Sequence, residues 1–364
     1  MQTNFVLRLR LKERKLNCEL IDLESMQIPS FPRPIQFPIR RQKSILSSFH
    51  KILGKMRKNR EVPPRWFKDQ LRTLGEQLWD GLLDKVFSKF DLEKREGSFL
   101  TFALDPDTVR FPWELALLKK RPRTLLCEIL NIGRLRVVRH PYWETPSKRR
   151  GKKIRALVVG LNYGSYRNLE ELEYPEEEAW SVYDLLSKEG IETKPPLIGK
   201  KAKTGAILKN LQSGIDILHF TGHGSMSKNK TVICCADKDL SAKQLKQVID
   251  GTSVPKISFI NACESATEKT RLTGQWEAYN WARLLAEYGA QALIATFWPV
   301  IDESSTTFAK WFYTQFVERK RPLGAALRYA RHHTKTISKS PFTWPAYVLY
   351  GYPDFSIDSF TQIG

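Results

Sequence analysis

Short apolar runs alternate along the chain with segments whose apolar residues recur at helical spacing. The runs are nearly continuous, which is typical of strands buried on both faces of a parallel sheet. They cover Ile154–Gly160, Asp216–Phe220, Lys256–Ile260 and Ala292–Thr296. The helical segments cover Pro175–Leu186, Gly205–Leu211, Trp276–Tyr288, Ser304–Glu318 and Pro322–His333. This alternation predicts an α/β fold, with a mostly parallel central sheet between two layers of helices.

The first part of the chain has a more mixed pattern. Residues Asn4–Leu11 and Leu16–Leu23 alternate apolar and polar positions, which predicts a hairpin of two strands. The stretch 26–64 holds a run of prolines that a central strand excludes, followed by a basic segment, and we interpret it as an insertion or extended loop. The remaining predicted elements are helices at Trp66–Phe90 and Pro112–Leu115 and strands at Ser98–Leu104, Arg134–Val138, Thr231–Ala236 and Ala346–Tyr350.

Two of the apolar runs lead directly into reactive side chains. ILHFTGHG reaches His223, and ISFINAC reaches Cys263. Adjacent strands of a parallel sheet deliver their carboxyl ends to the same edge, where ligands usually bind. We expect the first strand to end before Gly222, with the glycines carrying the chain out in a tight turn. A crossover helix at Ser241–Ile249, with Ser241 as its N-cap, fits between the two strands.

A histidine and a cysteine at one sheet edge form a candidate nucleophile and base. A free thiol has a pKa of about 8.5 and needs a neighbouring base or cation to form a thiolate at neutral pH. His223 can fill this role for Cys263, and the backbone N–H groups of Gly224 and Cys263 can stabilise an oxyanion. Taken alone, a strand-end cysteine is usually a core residue, and a histidine between glycines often belongs to a structural turn.

Other reactive side chains have simpler interpretations. Adjacent Cys234 and Cys235, like His219 inside its strand, are expected to pack in the interior. Asp302 either lines a substrate pocket or caps the helix that follows it. Glu264 is either a pocket acid or an exposed loop residue. The scattered cysteines have no zinc spacing, so we expect no metal and no cofactor.

Several longer motifs carry a family resemblance, over roughly Trp66–Phe355. They are ILHFTGHG, INACES, LLAEYGAQALIATFWPVIDESSTTFAKWFYTQF and LGAALRYAR, with ALVVGLNYG, Glu176–Ala179 and FPWELALL upstream. In these motifs the chain resembles the CHAT proteins, caspase-like peptidases related to caspases, separases and gingipains. The resemblance implies a caspase-like three-layer α/β/α sandwich. It also implies that His223 is the general base and Cys263 the nucleophile of a cysteine endopeptidase, without a third acidic residue.

The same resemblance implies a context and leaves the specificity open. Such peptidases act in bacterial antiviral defence or programmed cell death, under the control of an activating or sensor protein, and gasdermin-type pore-forming proteins are among their possible substrates. The caspase motif has Gln-Ala before the cysteine, whereas this chain has Asn261-Ala262. With Asn261, Glu264 and Asp302 as pocket candidates, we expect a basic or neutral residue before the cut, and not Asp.

Composition bounds the other function classes. The net charge is +20, and residues 1–150 hold 32 Lys and Arg against 17 Asp and Glu. The bias is sharpest at Arg40–Arg60, which has eight basic residues and no acid, and which is either a docking element for an acidic partner or a solvated segment. It contains no known nucleic-acid motif, so direct base-specific binding of nucleic acid is not expected.

Compartment and domain organisation follow from the same sequence. The five cysteines include no disulfide framework, which favours a reducing, cytoplasmic location. No apolar stretch approaches a membrane span or the core of a signal peptide. We divide the chain into an N-terminal half, 1–150, and a half that carries the His–Cys pair, 151–364. The alternatives to a peptidase are a catalytically silent scaffold that binds a partner protein and an effector subunit of a nucleic-acid complex.

Overall fold

The secondary structure alternates between strands and helices over most of the chain. The computed structural model describes residues 4–25, 33–58, 62–88, 90, 92–119, 123–136, 153–227, 230–247, 254–264, 281–282, 284–300, 302–338 and 340–360. The strands are β1 (Asn4–Lys12), β2 (Lys15–Asp22), β3 (Ile35–Gln36), β4 (Phe99–Leu104), β5 (Leu117–Leu118), β6 (Thr124–Leu125), β7 (Asn131–Arg136), β8 (Arg155–Gly160), β9 (Glu192–Thr193), β10 (Leu197–Ile198), β11 (Ile217–Ser227), β12 (Lys230–Cys234), β13 (Asp239–Ser241), β14 (Ile257–Glu264), β15 (Ala292–Thr296) and β16 (Tyr347–Gly351). The α-helices are α1 (Ile39–Lys58), α2 (Pro64–Leu78), α3 (Asp84–Val86), α4 (Leu126–Ile129), α5 (Pro175–Lys188), α6 (Thr204–Gln212), α7 (Ala242–Lys246), α8 (Asp302–Tyr313) and α9 (Leu323–Ile337).

One large sheet organises the molecule. Its strands follow the order β10-β8-β11-β14-β15-β16-β7-β4-β1-β2-β3. Strands β8, β11, β14 and β15 run parallel to one another, and so do β1, β4 and β7. The hairpin partner β2 and the strand β16 pair antiparallel with β1 and β15. Strands β11 and β14, which contain His223 and Cys263, are therefore flanked on both sides by other strands.

Helices cover both faces of this sheet. On one face, Val158, Ile217 and Ile294 pack against the apolar sides of α5, α8 and α9. On the other face, Leu157 and Leu218 belong to a core that includes the apolar residues of α1, α2 and α6. Because successive strand residues point to opposite faces, the continuous apolar runs supply both cores at once. The expected three-layer α/β/α sandwich with a mostly parallel sheet is confirmed.

The basic segment differs from the expectation of an insertion or extended loop. Residues 39–58 form the 20-residue helix α1, whose side chains Ile45, Phe49 and Ile52 are fully buried. Phe49 makes an edge-to-face contact with Phe297, with ring centroids 5.8 Å apart. The prolines before α1 obscured this apolar face in the sequence. The helix is part of the core, and only its other face is basic and exposed.

The helix predicted at Trp66–Phe90 is broken. Helix α2 ends at Leu78 and a π-turn follows, in which Gly81 takes a φ of +66°. Arg41 of α1 donates hydrogen bonds to the carbonyls of Gln77 and Asp80, which the break releases from the helix. The sequence also predicts a basic linker between the two halves at Pro141–Lys153, and this stretch lies largely outside the described residues. Strands from both halves join one sheet, and this arrangement does not mark a boundary between them. The division of the chain at residue 150 stays a prediction.

Candidate active site

The two central strands extend further than the apolar runs predicted. Strand β11 continues through the glycines to Ser227, and β14 continues to Glu264. The extension of β11 is stabilised by β12, which pairs antiparallel with it from Gly224 opposite Ile233. His223 consequently lies inside a strand, and the predicted turn at Gly222–Gly224 is wrong. Gly222 nevertheless has a φ of +157°, and a Cβ there would lie 2.6 Å from Tyr163 Oη, so close packing requires glycine.

The pairing of β11 with β14 brings the predicted site residues together in the backbone. The two strands are parallel, and His223 is the register partner of Cys263, as Gly224 is of Glu264. This register places the backbones of residues 223 and 263 side by side on adjacent strands. The expectation that these residues meet at one sheet edge is consistent with this register.

Three contacts fix the orientation of His223. The ring nitrogen Nε2 lies 2.7 Å from the backbone carbonyl oxygen of Glu170. The backbone N–H of His223 donates to Tyr163 Oη at 2.8 Å, and the two rings pack with centroids 4.7 Å apart. His223 is only 5% exposed. A carbonyl oxygen can only accept a hydrogen bond, so Nε2 carries the proton and Nδ1 is the basic nitrogen of the neutral ring.

Tyr163 is the central support of this arrangement. Its hydroxyl accepts from His223 and donates to the carbonyl of Cys234 at 2.6 Å, which joins β11 to β12. Burial raises the pKa of this hydroxyl well above its ordinary value, so it keeps its proton for donation. The backbone of Tyr163 has a φ of +70°, a conformation that is unusual for a residue other than glycine. A non-glycine residue holds such a conformation only where its surroundings stabilise it.

The side chain of Asn261 does not face a substrate pocket. It is 5% exposed and donates from Nδ2 to both carboxylate oxygens of Glu178 on α5, each at 3.1 Å. Ser305 of α8 also donates to Glu178, at 3.1 Å. The expectation that Asn261 shapes the pocket is therefore wrong, because its side chain is buried against Glu178 of α5. Asn261 instead anchors β14, the strand that carries Cys263, to α5, and Glu178 in turn accepts from Ser305 of α8.

The nearby His219 is a core residue, as predicted. It is fully buried and stacks on Phe259 of β14, and Nδ1 lies 3.3 Å from the hydroxyl of Tyr313. Its Nε2 is 3.1 Å from Glu178 Oε1, but the alignment does not make a hydrogen bond. The two buried side chains are thus in contact without a hydrogen bond between them.

The remaining predicted residues are placed as follows. Cys234 and Cys235 are buried, and this burial raises the pKa of each thiol to about 12. Asp302 is the first residue of α8, so it lies inside the helix and not upstream of it. Ser241 caps α7 as predicted, in a capping box with Gln244. Within the described ranges, no three His, Cys, Asp or Glu residues cluster as a metal site requires.

Sequence reasoning missed three residues that hold the site. Glu178 belongs to the quoted Glu176–Ala179 run, and Tyr163 to ALVVGLNYG, but neither run shows which side chain turns towards the central strands. Glu170 acts through its backbone carbonyl, which carries no residue-type signal. The contacts of Tyr163 and Glu170 depend on how the loop after β8 folds over β11, and that of Glu178 depends on how α5 packs on β14.

Most of the chain matches a known protein family. Residues 69–352 match the CHAT domain. The chain belongs to the CHAT domain family. No curated protein matches this CHAT chain in sequence.

Solved structures share the fold of the CHAT chain at low identity. The Arg specific cysteine proteinase gingipain R is similar with a TM-score of 0.50 and 12% identity, over 87% of this chain and 76% of that one. The complex of Porphyromonas gingivalis RgpB pro- and mature domains gives 0.51 and 12%, over 87% and 77%. The Saccharomyces cerevisiae separase–securin complex at 3.0 Å resolution gives 0.52 and 11%, over 96% of this chain but 30% of that one. The CHAT chain thus has a caspase-like fold.

In the part of the chain that the structure describes, no helix combines the length and the apolar character that crossing a bilayer requires.

Proposed function

We propose that this CHAT protein is a cysteine endopeptidase in which His223 is the general base and Cys263 the nucleophile. The observation that carries the proposal is the register of β11 and β14, which makes residues 223 and 263 lateral neighbours. The fixed orientation of the His223 ring supports it, because a base must be held in position relative to the proton that it removes. The caspase-like fold is compatible with this chemistry, but a fold does not by itself determine a reaction.

The proposed mechanism assigns each proton. The carbonyl of Glu170 accepts from Nε2–H of His223 and holds the tautomer in which Nδ1 accepts the thiol proton of Cys263. The thiolate attacks the peptide carbonyl, and the backbone N–H groups of Gly224 and Cys263 stabilise the oxyanion. The imidazolium then donates its proton to the leaving amine. Water, deprotonated by the same imidazole, hydrolyses the acyl-enzyme and releases the free thiol.

The charge near His223 supports a preference for a basic or neutral residue before the cut. The loop that supplies the Glu170 carbonyl also exposes Glu170, Glu171 and Glu173, in a chain whose net charge is +20. The charge of Glu173, with those of Glu303 and Glu177, raises the pKa of the Tyr174 hydroxyl, so these acids converge on one surface. An acidic surface attracts cationic substrate side chains and repels Asp.

The biological setting is a further part of the proposal. The family resemblance favours a bacterial pathway of antiviral defence or programmed cell death, with a gasdermin-type protein as one candidate substrate and a separate sensor protein as activator. A cytoplasmic location is favoured by the cysteines, since Cys18, Cys127, Cys234 and Cys235 are all free thiols.

The test combines cleavage with chemical labelling. A fluorogenic peptide library with every residue type before the cut is incubated with wild type, Cys263→Ala and His223→Ala, with Cys235→Ala as the matched control. We expect Cys263→Ala to abolish turnover, His223→Ala to lower it about 100-fold or more, and Cys235→Ala to leave it unchanged. Selection of Asp would contradict the proposed preference.

Iodoacetamide labelling followed by mass spectrometry separates a peptidase from a scaffold. A dyad predicts that Cys263 is alkylated faster than a free cysteine at pH 7, and that His223→Ala removes this advantage. A scaffold with a silent site predicts no turnover and no accelerated alkylation of Cys263 in the wild type.

A further inference from the structure

A half-open cavity lies away from His223, between α2, the β5–β6 hairpin and the segment that joins α9 to β16. Its volume is about 390 Å³, within the range of ligand pockets. The cavity has an apolar floor of Phe67, Leu71, Leu117, Leu125 and Trp344, all buried to more than nine tenths. Such a floor can accept a bulky apolar side chain of a ligand, and the burial of that side chain would stabilise the complex.

The rim of the cavity is basic. Lys68, Arg72, Arg123 and Lys335 line it together with the single carboxylate of Glu128. Lys335 pairs with Glu128, so the charges of these two residues cancel.

Three rim cations remain to be balanced. Arg72 and Arg123 share one carboxylate outside the rim, Glu76, at 3.8 and 3.0 Å. Lys68 makes no ion pair with any residue in the described part of the chain. The mouth therefore keeps an excess of two positive charges over the carboxylates that its cations contact. An occupant with negative charge complements it.

The placement of these cations indicates what kind of anion fits. Lys68 and Arg72 lie one turn apart on α2, Arg123 directly precedes β6, and Lys335 lies on α9. Arg72 and Arg123 contact Glu76 whereas Lys335 contacts Glu128, so the rim cations do not all converge on one point, as the donors for a single phosphate would. An extended chain with several carboxylates matches this distribution better than a small anion does.

We propose that this cavity docks an acidic segment of a partner protein, with one large apolar side chain on the floor and carboxylates on the rim. The helix α1, where the sequence bias is strongest, instead buries its apolar residues Ile45, Phe49 and Ile52 in the core. The proposal thus assigns acidic-partner binding to the cavity and not to the most basic segment.

The cavity is connected with the edge of the sheet next to β14. Phe67 on the floor packs edge-to-face on Trp298 and Phe342, with centroids 5.6 and 4.9 Å away. Trp298 lies two residues beyond the end of β15, and its indole N–H donates to the carbonyl of Phe342 at 2.8 Å. A partner in the cavity therefore contacts the support of the loop beyond β15. A regulatory consequence of this contact rests on the proposed peptidase function, whereas the binding itself does not.

The experiment measures binding of defined peptides to the full chain by fluorescence anisotropy. The probe is a fluorescein-labelled Glu-Glu-Phe-Glu-Glu peptide, compared with the same peptide carrying Ser for Phe and with one carrying Lys for Glu. We expect the acidic Phe peptide to bind, its Ser counterpart to bind about tenfold more weakly, and the Lys peptide not to bind. Added salt should weaken the complex, because the rim is exposed.

Matched charge reversals decide the location. Lys68→Glu with Arg72→Glu changes the net charge as much as Arg40→Glu with Lys43→Glu, whose residues are exposed on α1. We expect the first pair to weaken binding about tenfold and the second less than about threefold. Lys68→Gln with Arg72→Gln provides a milder variant, and thermal unfolding confirms that each one folds.

Three results overturn the proposal. They are no binding of the acidic Phe peptide up to about 1 mM, equal binding of its Ser counterpart, and equal weakening by the α1 reversals. None of these measurements uses His223 or Cys263, so failure here leaves the peptidase proposal standing. Conversely, if the wild-type protein cleaves no peptide, the docking result still stands.

Discussion

Replacing Tyr163 by Phe tests whether one hydroxyl holds the site together. The hydroxyl bridges two buried backbone groups, the N–H of His223 and the carbonyl of Cys234, at 2.8 and 2.6 Å. The substitution keeps the ring and its contact with the imidazole but leaves both backbone groups without this partner. Each stranded buried group costs about 1–3 kcal/mol, so the pair costs about 2–6 kcal/mol. The removed hydroxyl no longer has to be buried, which offsets about 1–2 kcal/mol and lowers the expected loss to about 1–4 kcal/mol.

The free energy of unfolding is measured in urea by far-UV circular dichroism at pH 7. A loss of this size is a large share of the 5–15 kcal/mol that typically stabilises a domain, so the midpoint should fall clearly. In the same variant, iodoacetamide labelling of Cys263 reports the local effect. We expect an altered rate, because the backbone of its register partner His223 loses an anchor.

Tyr183→Phe is the matched control. Its ring contacts Trp180, and within the described residues its hydroxyl makes no hydrogen bond, so the expected change is below about 0.5 kcal/mol. If Tyr163→Phe is also within 0.5 kcal/mol of wild type, the two backbone groups find other partners and the reasoning is wrong.

Three further outcomes are expected. Phe49→Ala should lower the free energy of unfolding by about 3–5 kcal/mol in urea titrations, since the ring is fully buried; a loss below 1 kcal/mol would return α1 to the status of a dispensable segment. Cys234→Ala and Cys235→Ala should keep peptide turnover and the main alkylation product, because burial raises the pKa of both thiols to about 12; disappearance of that product would move the nucleophile to this pair. Burial alone raises the pKa of Asp237, but hydrogen bonds from Thr204 and from backbone N–H groups outweigh it and set the pKa below the ordinary 3.8. The stability that these hydrogen bonds contribute is therefore present above pH 3.8 and lost as the pH falls through the lowered pKa. Asp237→Asn should be less stable than wild type at pH 7 and equally stable in strong acid. A stability difference that does not change with pH would contradict this argument.

Local sequence signals predicted many elements closely. The runs at Ile154–Gly160 and Ala292–Thr296 are strands within one residue of their observed bounds, because side chains buried on both faces leave a continuous apolar record. Ser241 was recognisable as a cap from its residue type and spacing. In contrast, the end of β11 was misplaced, since its continuation depends on pairing with β12 and not on its own hydrophobicity.

The sequence also identified His223 and Cys263 as the candidate pair, but it misassigned Asn261. Every second residue of a strand faces the same side of the sheet. Asn261 lies on the same side as Ile257 and Phe259, which is the side covered by α5, α8 and α9. The sequence around Asn261 gave no local sign that its side chain would donate to a buried carboxylate of α5.

The sequence by itself determined the α/β alternation, the identity of the two central strands and the residue types that chemistry requires. These follow from local periodicity and from side-chain reactivity, which neighbours in space do not alter. Tertiary structure alone decided that residues 223 and 263 are register partners, that a backbone carbonyl of the β8 loop orients the imidazole, and that α1 belongs to the core. The physical reason is that each depends on pairing between segments distant along the chain, and such pairing is set by packing and hydrogen-bond satisfaction across the whole sheet.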